Sequence, residues 1–458
     1  MAPTQKALLL GAGFVTRPTC QILSDAGIEV TVACRSLDHS KKLAEGLKNA
    51  HPIALDVTDS TSLDKEVAKN DVVISLIPYT FHATVIKSAI REKKHVVTTS
   101  YVSPAMLELE KEVKEAGITC MNEIGLDPGI DHLYAVKMID EVHKKKGKIT
   151  SFLSYCGGLP APENSDNPLG YKFSWSSRGV LLALRNAARF YKDGKLVEVE
   201  GPDLMDTAKP FDSGYKGYSF LAYPNRDSTT YKERYQIPEA ETVIRGTLRY
   251  QGFTELVKVL VDIGFLSEEK FDFLNEPIPW KEATQKILSA TSSAEKDLAW
   301  GIGSKHDFQD NTQKDRILSG LKWIGLFSDE KISPRGNPLD TLCAALEEKM
   351  QFEKGERDFV FLQARADIYN KLQHRFGIEW ADGTKETKTS TLCEYGDPKG
   401  YSAMAKLVGV PCGVAVKMVL DGKIKGPGIL APVTPELTYP LIEELRKWDI
   451  EMTEKTVA

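Results

Sequence analysis

The stretch that most constrains the fold runs from residue 6 to residue 16, with the sequence K-A-L-L-L-G-A-G-F-V-T. A short apolar run leads directly into two glycines and then into a helical pattern over residues 15–26. This order predicts a buried parallel strand, a tight turn and a helix N-terminus, at the spacing of a dinucleotide-binding first turn. Gly11 permits the sharp turn, and Gly13 lacks the Cβ that would keep backbone N–H groups away from a pyrophosphate. A purely structural turn is the alternative, because Thr16 stands where a third glycine is usual.

Strand and helix patterns then alternate as far as residue 124. Apolar or β-branched strands are predicted at 29–34, 51–56, 71–77, 95–99 and 118–124, with helices between most of them. Such alternation with short loops is typical of a doubly wound parallel sheet, in which ligands bind at the carboxyl ends of the strands. We therefore expect a nucleotide-binding domain over residues 1–125, with its functional residues at strand ends.

The end of the second strand indicates which dinucleotide is bound. NAD enzymes usually place Asp or Glu there to hold the ribose hydroxyls, whereas this chain has Arg35 followed by Ser36. A guanidinium and a hydroxyl suit the 2′-phosphate of NADP, and such a charge-assisted contact contributes about 1.5–3 kcal/mol. The pattern favours NADP over NAD roughly ten- to hundredfold. The alternative is a surface arginine after a strand.

A polar turn follows the sixth strand, with the sequence G-L-D-P-G-I-D over residues 125–131. Asp127 lies on a Pro/Gly turn at a strand end, which makes it a candidate for catalysis or substrate contact, with simple turn formation as the alternative. Asp131 precedes a helical pattern, and we expect it to cap that helix.

The regular alternation stops after this turn. We predict a strand at 148–156, a helix at 178–191, a strand with a turn at 219–228 and an alternating strand at 242–250. The last two segments present Arg226, Arg245 and Arg249, which are either substrate-binding residues or plain surface charge.

The remaining patterns complete the domain organisation. Residues 253–350 are helical almost throughout, which predicts an all-helical insertion within a second domain at 126–398. Strand patterns flank Asp382-Gly383, a hairpin signal. Residues 399–458 contain an apolar helix at 402–420 and are expected to return to the first domain.

Composition excludes several classes of partner. Lys and Arg number 59 against 64 Asp and Glu, so the formal net charge is −5, and no long basic run is present to bind nucleic acid or a membrane surface. The seven cysteines form no C-x-x-C pair and have no metal-ligand spacing with histidine, so we expect no metal. Scattered cysteines suit a reducing compartment, and neither a signal peptide nor an apolar run of membrane-spanning length is expected. These features predict a soluble, cytoplasmic protein.

Nine motifs spread along the chain carry a family resemblance. They are G-A-G-F-V-T-R-P, C-R-S, L-I-P-Y-T-F-H, V-V-T-T-S-Y-V-S, N-E-I-G-L-D-P-G-I-D-H, Y-C-G-G-L-P-A-P, P-N-R-D-S, R-G-T-L-R-Y-Q-G-F and C-E-Y-G. Together they resemble the saccharopine reductases, the NADP-dependent, L-glutamate-forming saccharopine dehydrogenases of fungal lysine biosynthesis. The likeness covers nearly the whole chain and is far more specific than the glycine turn alone.

The resemblance implies a homodimer whose subunit joins a variant Rossmann domain to a mixed-sheet α+β substrate and dimerisation domain with an all-helical insertion. It also implies a reversible reaction, in which the amine of L-glutamate condenses with the aldehyde of L-2-aminoadipate 6-semialdehyde and NADPH reduces the imine to L-saccharopine. Matched motif by motif, the implied cofactor residues are Gly11, Ala12, Gly13, Phe14, Val15, Arg35, Ser36, Asp56, Val57, Ile77, Thr98, Thr99, Leu126 and Trp175. The implied substrate residues are Thr99, Ser100, Asp127, Arg226, Thr247, Leu248 and Arg249.

The implied chemistry fits the residues at hand. Saccharopine carries three carboxylates, so a net acidic protein needs local positive charge, which Arg226 and Arg249 supply. Asp127, Tyr101 and Cys156 are the polar candidates for the proton transfers of imine formation. One alternative is another NADP-dependent imine reductase, such as a carboxynorspermidine- or homospermidine-forming enzyme, whose product has fewer carboxylates. The other is a non-catalytic NADP(H)-sensing protein, which would need neither Asp127 nor Arg226.

Overall fold

The computed structural model describes residues 4–365, 376–379 and 385–457. The chain divides into two compact units. Unit 1 comprises Met1–Gly147, Ser390–Leu392 and Lys399–Glu454, and unit 2 comprises Lys148–Thr389, Cys393–Pro398 and Lys455–Ala458.

Unit 1 is built on a parallel sheet, as predicted. Its first six strands are β1 (Lys6–Leu10), β2 (Glu29–Cys34), β3 (Ala50–Ala54), β4 (Val72–Ser75), β5 (His95–Thr98) and β6 (Thr119–Met121). A further strand from the C-terminal segment, Gly428–Leu430, pairs with β6, and the order across the sheet is Gly428–Leu430, β6, β5, β4, β1, β2, β3. Every neighbouring pair is parallel. Because all the strands run in one direction, their carboxyl ends lie along the same edge of the sheet.

The helices of unit 1 connect most of these strands and pack on the sheet, which explains why the strand sequences are apolar. They are Thr16–Asp25, Leu37–Ala44, Ser60–Ala68, His82–Glu92, Pro104–Leu107, Glu110–Glu115, Ile130–Lys144, Ala403–Leu420 and Pro435–Arg446, with a 3₁₀ turn at Tyr79–Phe81. All four residues of β4 are buried, as is expected of a parallel strand whose sheet is covered on both faces.

Unit 1 extends beyond the boundary predicted at residue 125. The helix Ile130–Lys144 belongs to it and packs on the helix Pro435–Arg446, where the Tyr439 hydroxyl donates to Asp140 Oδ2 at 2.5 Å. The turn at 125–131 therefore lies inside unit 1 and does not mark its end.

The helix Ala403–Leu420 corrects the expectation that no apolar run reaches the length of a membrane span. By length and apolar composition alone it could cross a membrane, and 78% of it is buried inside the protein. It packs on the helix Thr16–Asp25 at unusually close range, because a Cβ on Gly409 would lie 2.5 Å from the Val15 carbonyl oxygen. The Thr19 hydroxyl donates to the Gly409 carbonyl at 2.8 Å across the same contact. The helix is therefore a core element that fixes the glycine turn from behind.

Unit 2 contains a mixed sheet, as the resemblance implies. Its strands are Lys148–Ile149, Ser151–Pro160, Ala188–Lys192, Lys195–Val199, Lys209–Phe211, Phe220–Pro224, Thr242–Tyr250, Asp358–Arg365, Phe376–Glu379, Lys385–Tyr395 and Thr453–Val457. The strand Ser151–Pro160 is central, because it pairs parallel with Thr242–Tyr250 on one side and antiparallel with Asp358–Arg365 on the other.

The helices of unit 2 lie largely in one stretch of the chain. They are Ser177–Ala183, Tyr231–Arg234, Phe253–Asp262, Trp280–Leu288, Glu295–Gly303, Asn311–Ile324 and Pro338–Lys349, with 3₁₀ segments at Pro162–Asn164, Gly201–Thr207 and Asp272–Asn275. Residues 253–349 therefore form the helical region that the sequence predicts at 253–350.

The structure contradicts part of one local prediction, and another prediction lies outside the described residues. The predicted helix 178–191 is wrong in its second half, because the helix ends at Ala183 and a strand, Ala188–Lys192, pairs with Lys195–Val199. The predicted turn at Asp382-Gly383 lies outside the described residues, although the flanking strands Phe376–Glu379 and Lys385–Tyr395 pair antiparallel.

The close contact at Gly409 generates a stability prediction. Gly409→Ala should destabilise unit 1 by about 1–3 kcal/mol, because the added methyl group would meet the Val15 carbonyl oxygen and the Pro18 ring and force the helices apart. Scanning calorimetry should record a fall in melting temperature of roughly 2–4 °C for each kcal/mol. Gly303→Ala is the matched control, since a Cβ at that helical glycine meets nothing within 4 Å. Equal melting temperatures for the two variants would contradict the packing account.

Candidate functional site

The glycine turn after β1 leaves room for a bound pyrophosphate. Gly11 adopts φ +109°, in the left-handed region, and a Cβ there would lie 2.5 Å from the Leu76 carbonyl oxygen. Gly13 is exposed, and a Cβ built on it would meet nothing within 4 Å. The turn is thus closed against the sheet at Gly11 and open to the outside at Gly13, where a phosphate group can approach the backbone.

The helix after the turn begins without a side-chain cap. Val15 precedes the first residue of Thr16–Asp25 and accepts no helical N–H through its side chain. Uncapped N–H groups and the helix dipole both favour an anion at this end. Thr16 is buried, and its hydroxyl donates to the Gly13 carbonyl at 2.7 Å. The threonine therefore closes the turn without filling the space above it, and the residues present fit a dinucleotide.

Other predicted cofactor residues lie along the same edge of the sheet. The Ile77 Cγ2 atom is 3.4 Å from the position of a Cβ on Gly11, so the end of β4 adjoins the turn. Ala12 and Val57 are half-buried, and the Phe14 ring is 65% exposed, which leaves it available to a ligand.

The ends of β2 and β3 place a free cation beside a carboxylate. Arg35 is exposed and forms no ion pair with the described residues. Ser36 caps the next helix by accepting the His39 N–H at 3.4 Å. Asp56 accepts the N–H of Thr58 at 2.9 Å and its hydroxyl at 2.7 Å, and these bonds, with a smaller contribution from the Arg35 charge, hold the pKa of the Asp56 carboxyl below its usual range. Arg35 is therefore open to an anionic group, as the NADP interpretation requires.

The turn at residues 125–131 brings two of the predicted catalytic residues together. The Tyr101 hydroxyl donates to Asp127 Oδ1 at 2.6 Å, and both side chains are half-buried. A phenol hydrogen-bonded to a carboxylate at the end of a parallel strand is a pair that can hold or transfer a proton.

Backbone hydrogen bonds fix the shape of this turn. The Gly125 N–H donates to the Pro128 carbonyl at 2.9 Å, and the Ile130 N–H donates to the Gly125 carbonyl at 2.9 Å. Asp131 is not the helix cap that we predicted, because the cap is Gly129 and Asp131 lies in the first turn. Its carboxylate accepts the Gly129 N–H at 2.6 Å, so it still satisfies a donor at this helix end. Leu126 is buried within the turn.

The end of β5 carries a buried hydrogen-bond chain that sequence reasoning missed. Thr98 is buried, and its hydroxyl donates to Asn122 Oδ1 at 3.1 Å. Ser100 is half-buried, and its hydroxyl lies 2.8 Å from His82 Nε2, while His82 Nδ1 lies 2.8 Å from the Ser75 hydroxyl. His82 was part of the motif L-I-P-Y-T-F-H, but a single histidine at a helix start gives no periodic signal.

A buried carboxylate–histidine pair was also not predicted from the sequence. Glu123 and His132 are both fully buried, and their Oε2 and Nε2 atoms are 2.7 Å apart. The other Glu123 oxygen accepts the Val102 N–H at 2.9 Å. This pair flanks the turn that carries Asp127 and ties it to the segment after Tyr101. The only available signal was a charged residue inside an otherwise apolar strand end.

In unit 2, Arg249 is a buried cation. It is 7% exposed, and its guanidinium lies 4.8 Å from the centre of the Tyr171 ring and 5.2 Å from that of Phe253. Its Nη1 donates to the Leu248 carbonyl at 2.8 Å, and among the described residues no carboxylate pairs with it. By contrast, the buried Arg245 guanidinium stacks on the Tyr231 ring and donates to its hydroxyl.

The other predicted residues of unit 2 differ in their surroundings. Cys156 is half-buried and lies beside Thr247 in the parallel register of their strands. Thr247 accepts from Asn225 at 2.9 Å and shares a strand face with Arg249, whereas Leu248 points to the opposite face and is fully buried. Neither the side chain nor the backbone of Leu248 is exposed to a ligand in this structure.

Two more predicted residues lie outside the regular strands of unit 2. Arg226 is exposed at φ +50°, on the turn after Phe220–Pro224, and its carbonyl accepts the Arg189 N–H at 2.9 Å. Trp175 is half-buried just before the helix Ser177–Ala183, and its ring lies against Gly179.

Comparison with known proteins assigns both parts of the chain to one family. Residues 7–121 match the saccharopine dehydrogenase NADP binding domain, and residues 125–450 match the saccharopine dehydrogenase C-terminal domain. A Pyricularia oryzae protein named saccharopine dehydrogenase [NADP(+), L-glutamate-forming] is 66% identical over 99% of this chain and 100% of its own length. A Saccharomyces cerevisiae protein of the same name is 60% identical, over 99% of this chain and 100% of its own. The apo structure of the S. cerevisiae saccharopine dehydrogenase (L-Glu forming) superimposes with a TM-score of 0.88, at 60% identity, over 99% of this chain and 100% of that one.

The geometry at the end of β2 predicts cofactor discrimination. Arg35→Asp should raise the KM for NADPH about ten- to hundredfold and leave that for NADH nearly unchanged, because the variant loses a charge-assisted contact and gains repulsion. Arg35→Lys should lose less, since it keeps the charge but not the planar fork. Steady-state KM values for both cofactors provide the measurement. Arg91→Ala is the control, because that arginine is already paired with Asp64 at 2.6 Å. An unchanged ratio of the two KM values in Arg35→Asp would mean that Arg35 does not bind the cofactor.

Proposed function

The chain belongs to the saccharopine dehydrogenase family, and on this premise we propose the reaction that it catalyses. It is an NADP-dependent oxidoreductase acting on CH–NH groups. It reduces the imine formed from L-2-aminoadipate 6-semialdehyde and L-glutamate, giving L-saccharopine for lysine biosynthesis. In the reverse direction, saccharopine, NADP⁺ and water give L-glutamate, the semialdehyde, NADPH and a proton. The matching names of relatives at 60–66% identity over nearly full length support this assignment.

The parallel sheet of unit 1 supplies the cofactor site. NADPH, when bound, supplies the hydride that reduces the imine carbon. The open turn at Gly13 and the uncapped helix at Val15 bind the pyrophosphate, and Arg35 with Ser36 binds the 2′-phosphate. The role of these residues is to fix the nicotinamide relative to the substrate, since hydride transfer depends mainly on positioning.

The Tyr101–Asp127 pair supplies acid–base chemistry. The substrate nitrogen must lose protons as the imine forms and must gain one as the hydride arrives. Asp127 orients the Tyr101 hydroxyl through their 2.6 Å hydrogen bond, so either group can hold the proton at that nitrogen. Cys156 remains the third candidate, because its thiol is half-buried beside Thr247.

The burial of the Arg249 guanidinium is the observation that supports the substrate assignment. A buried guanidinium is costly unless an anion compensates it, and here aromatic rings and one backbone carbonyl are the partners that the described residues supply. Saccharopine would supply a carboxylate for it, and Arg226 would bind another from its exposed turn. A carboxynorspermidine- or homospermidine-forming activity explains this cation less well, because those products carry fewer carboxylates.

Assembly and location follow the same family reasoning. We propose a homodimer, held through the mixed sheet of unit 2, as the resemblance implies. We also propose a cytoplasmic location. All seven cysteines are free thiols, which suits a reducing compartment.

The acid–base proposal predicts an effect on turnover. Asp127→Asn should lower kcat for saccharopine oxidation about 10²–10⁴-fold while the KM for NADP⁺ stays nearly constant, because the amide cannot accept a proton. Tyr101→Phe should lower kcat without changing the fold. Steady-state kinetics with saccharopine and NADP⁺ provide the measurement. Normal turnover in Asp127→Asn would mean that the turn has only a structural role, and Tyr101 or Cys156 would be the next candidate.

The carboxylate proposal predicts an effect on specificity. Arg249→Ala should lower kcat/KM for saccharopine by a factor that corresponds to about 2–5 kcal/mol of lost transition-state stabilisation, because a substrate carboxylate would remain buried without a partner. Arg249→Lys should recover only part of the loss, since lysine keeps the charge without the planar fork. Arg226→Ala should cost less than Arg249→Ala, because Arg226 is exposed. Initial rates with saccharopine and with a decarboxylated analogue provide the measurement.

The matched control is Arg189→Ala. Arg189 is an exposed arginine of the same sheet that is already paired with Glu198 at 2.7 Å, and the alanine keeps the backbone N–H bonded to Arg226. Its kcat/KM should equal that of the wild type. If the wild type used the decarboxylated analogue with the same kcat/KM as saccharopine, the proposed binding of carboxylates by Arg226 and Arg249 would be wrong. The substrate assignment would then be wrong too.

A further inference from the structure

His82 joins the ends of two neighbouring strands through its ring nitrogens. The Ser75 hydroxyl at the end of β4 lies 2.8 Å from Nδ1, and the Ser100 hydroxyl, just beyond β5, lies 2.8 Å from Nε2. The ring is fully buried, and Ser75 is 1% exposed, whereas Ser100 is half-buried. The two hydrogen bonds of His82 therefore connect the interior of unit 1 to the carboxyl edge of its sheet.

The charge state of the His82 ring limits which atoms can donate and which can accept in these two hydrogen bonds. Burial lowers the pKa of His82 to about 4, so the imidazole is neutral at neutral pH. A neutral imidazole has one N–H donor and one acceptor nitrogen. One serine must therefore donate to the ring, and the other must accept from it.

Hydrogen-bond accounting selects one of the two tautomers. Among the described residues, His82 Nδ1 is the partner of the Ser75 hydroxyl. If Nδ1 carried the proton, the buried Ser75 O–H would have no acceptor, which is costly. The favoured arrangement is therefore Ser75 O–H donating to Nδ1 and Nε2–H donating to Ser100 Oγ.

The backbone around Ser100 is also held in place. Its carbonyl accepts the Glu123 N–H at 3.2 Å, and its N–H donates to the Thr98 hydroxyl at 3.4 Å. With Oγ accepting from His82, the remaining hydrogen-bonding proton of the side chain is the Ser100 O–H itself. That proton is free to turn toward an external acceptor.

We infer that His82 is a positioning residue that makes Ser100 a hydrogen-bond donor to a carboxylate of the substrate. The inference rests on the proposed function, because the acceptor it names is a carboxylate of saccharopine. It goes further by assigning a direction to the Ser100 contact and by tracing that direction to a histidine that does not touch the ligand.

Two amide substitutions separate this role from simple packing. His82→Gln places an amide nitrogen about where Nε2 lies, so it can still donate to Ser100. His82→Asn reaches only as far as Nδ1, so it keeps the bond to Ser75 and loses the donor to Ser100. A role limited to filling the interior would make both variants equally defective.

The experiment measures KM and kcat for saccharopine and KM for NADP⁺, together with melting temperatures. We expect His82→Asn to raise the KM for saccharopine several-fold, because Ser100 Oγ loses the donor that orients its O–H toward the carboxylate, with the KM for NADP⁺ unchanged. His82→Gln should stay within about threefold of the wild type. The double variant His82→Asn/Ser100→Ala should be no worse than Ser100→Ala alone, because His82 acts on the substrate only through the Ser100 hydroxyl.

Two further variants complete the design. His95→Asn is the matched control, because this histidine lies at the opposite end of β5, where its Nδ1 accepts the Thr119 N–H at 3.0 Å. Its KM for saccharopine should equal that of the wild type. Ser75→Ala removes the donor to Nδ1 with little change of shape, and should raise the KM for saccharopine several-fold even if the His82 variants fail to fold.

The outcomes distinguish this inference from the proposed function. A wild type that does not oxidise saccharopine would overturn both. A wild type that oxidises saccharopine, with equal defects in His82→Asn and His82→Gln or additive losses in the double variant, would overturn the positioning role alone. An unchanged KM for saccharopine in Ser75→Ala would contradict the assigned tautomer.

Discussion

The parallel direction of the strands in unit 1 is the constraint on which its candidate site depends. Because the strands run the same way, their carboxyl ends meet at one edge, and residues far apart in sequence become neighbours there. The turn at Gly11, the cation Arg35, the hydroxyl of Ser100 and the Tyr101–Asp127 pair all follow strand ends. The helix Ala403–Leu420 secures this edge from behind, since Gly409 leaves space for the turn at Val15.

Unit 2 has a separate feature, a charge buried among aromatic rings. Arg249 lies against Tyr171 and Phe253 rather than against a carboxylate of the described chain. Cation–π contacts offset only part of the cost of burying a guanidinium. This is why we propose an anionic ligand for Arg249 and not for Arg245, whose guanidinium donates to the Tyr231 hydroxyl.

The sequence predicted features that depend on local patterns and missed those that depend on distant partners. The glycine turn, the position of Arg35 and the helical stretch after residue 253 all follow from short-range periodicity. The helix predicted to Tyr191 is wrong because Asp193 and Gly194, both with positive φ, close a hairpin between Ala188–Lys192 and Lys195–Val199. The contacts of His82 could not be predicted, because its two partners lie on different strands that only the folded sheet brings together.

Product analysis tests the central claim most directly. The purified protein would be incubated with saccharopine and NADP⁺, and the amino acids formed would be quantified by mass spectrometry beside the NADPH produced. The account predicts equal amounts of L-glutamate and NADPH, with L-2-aminoadipate 6-semialdehyde as the co-product and little turnover with NAD⁺. Formation of lysine in place of glutamate, or no oxidation of saccharopine at all, would contradict it.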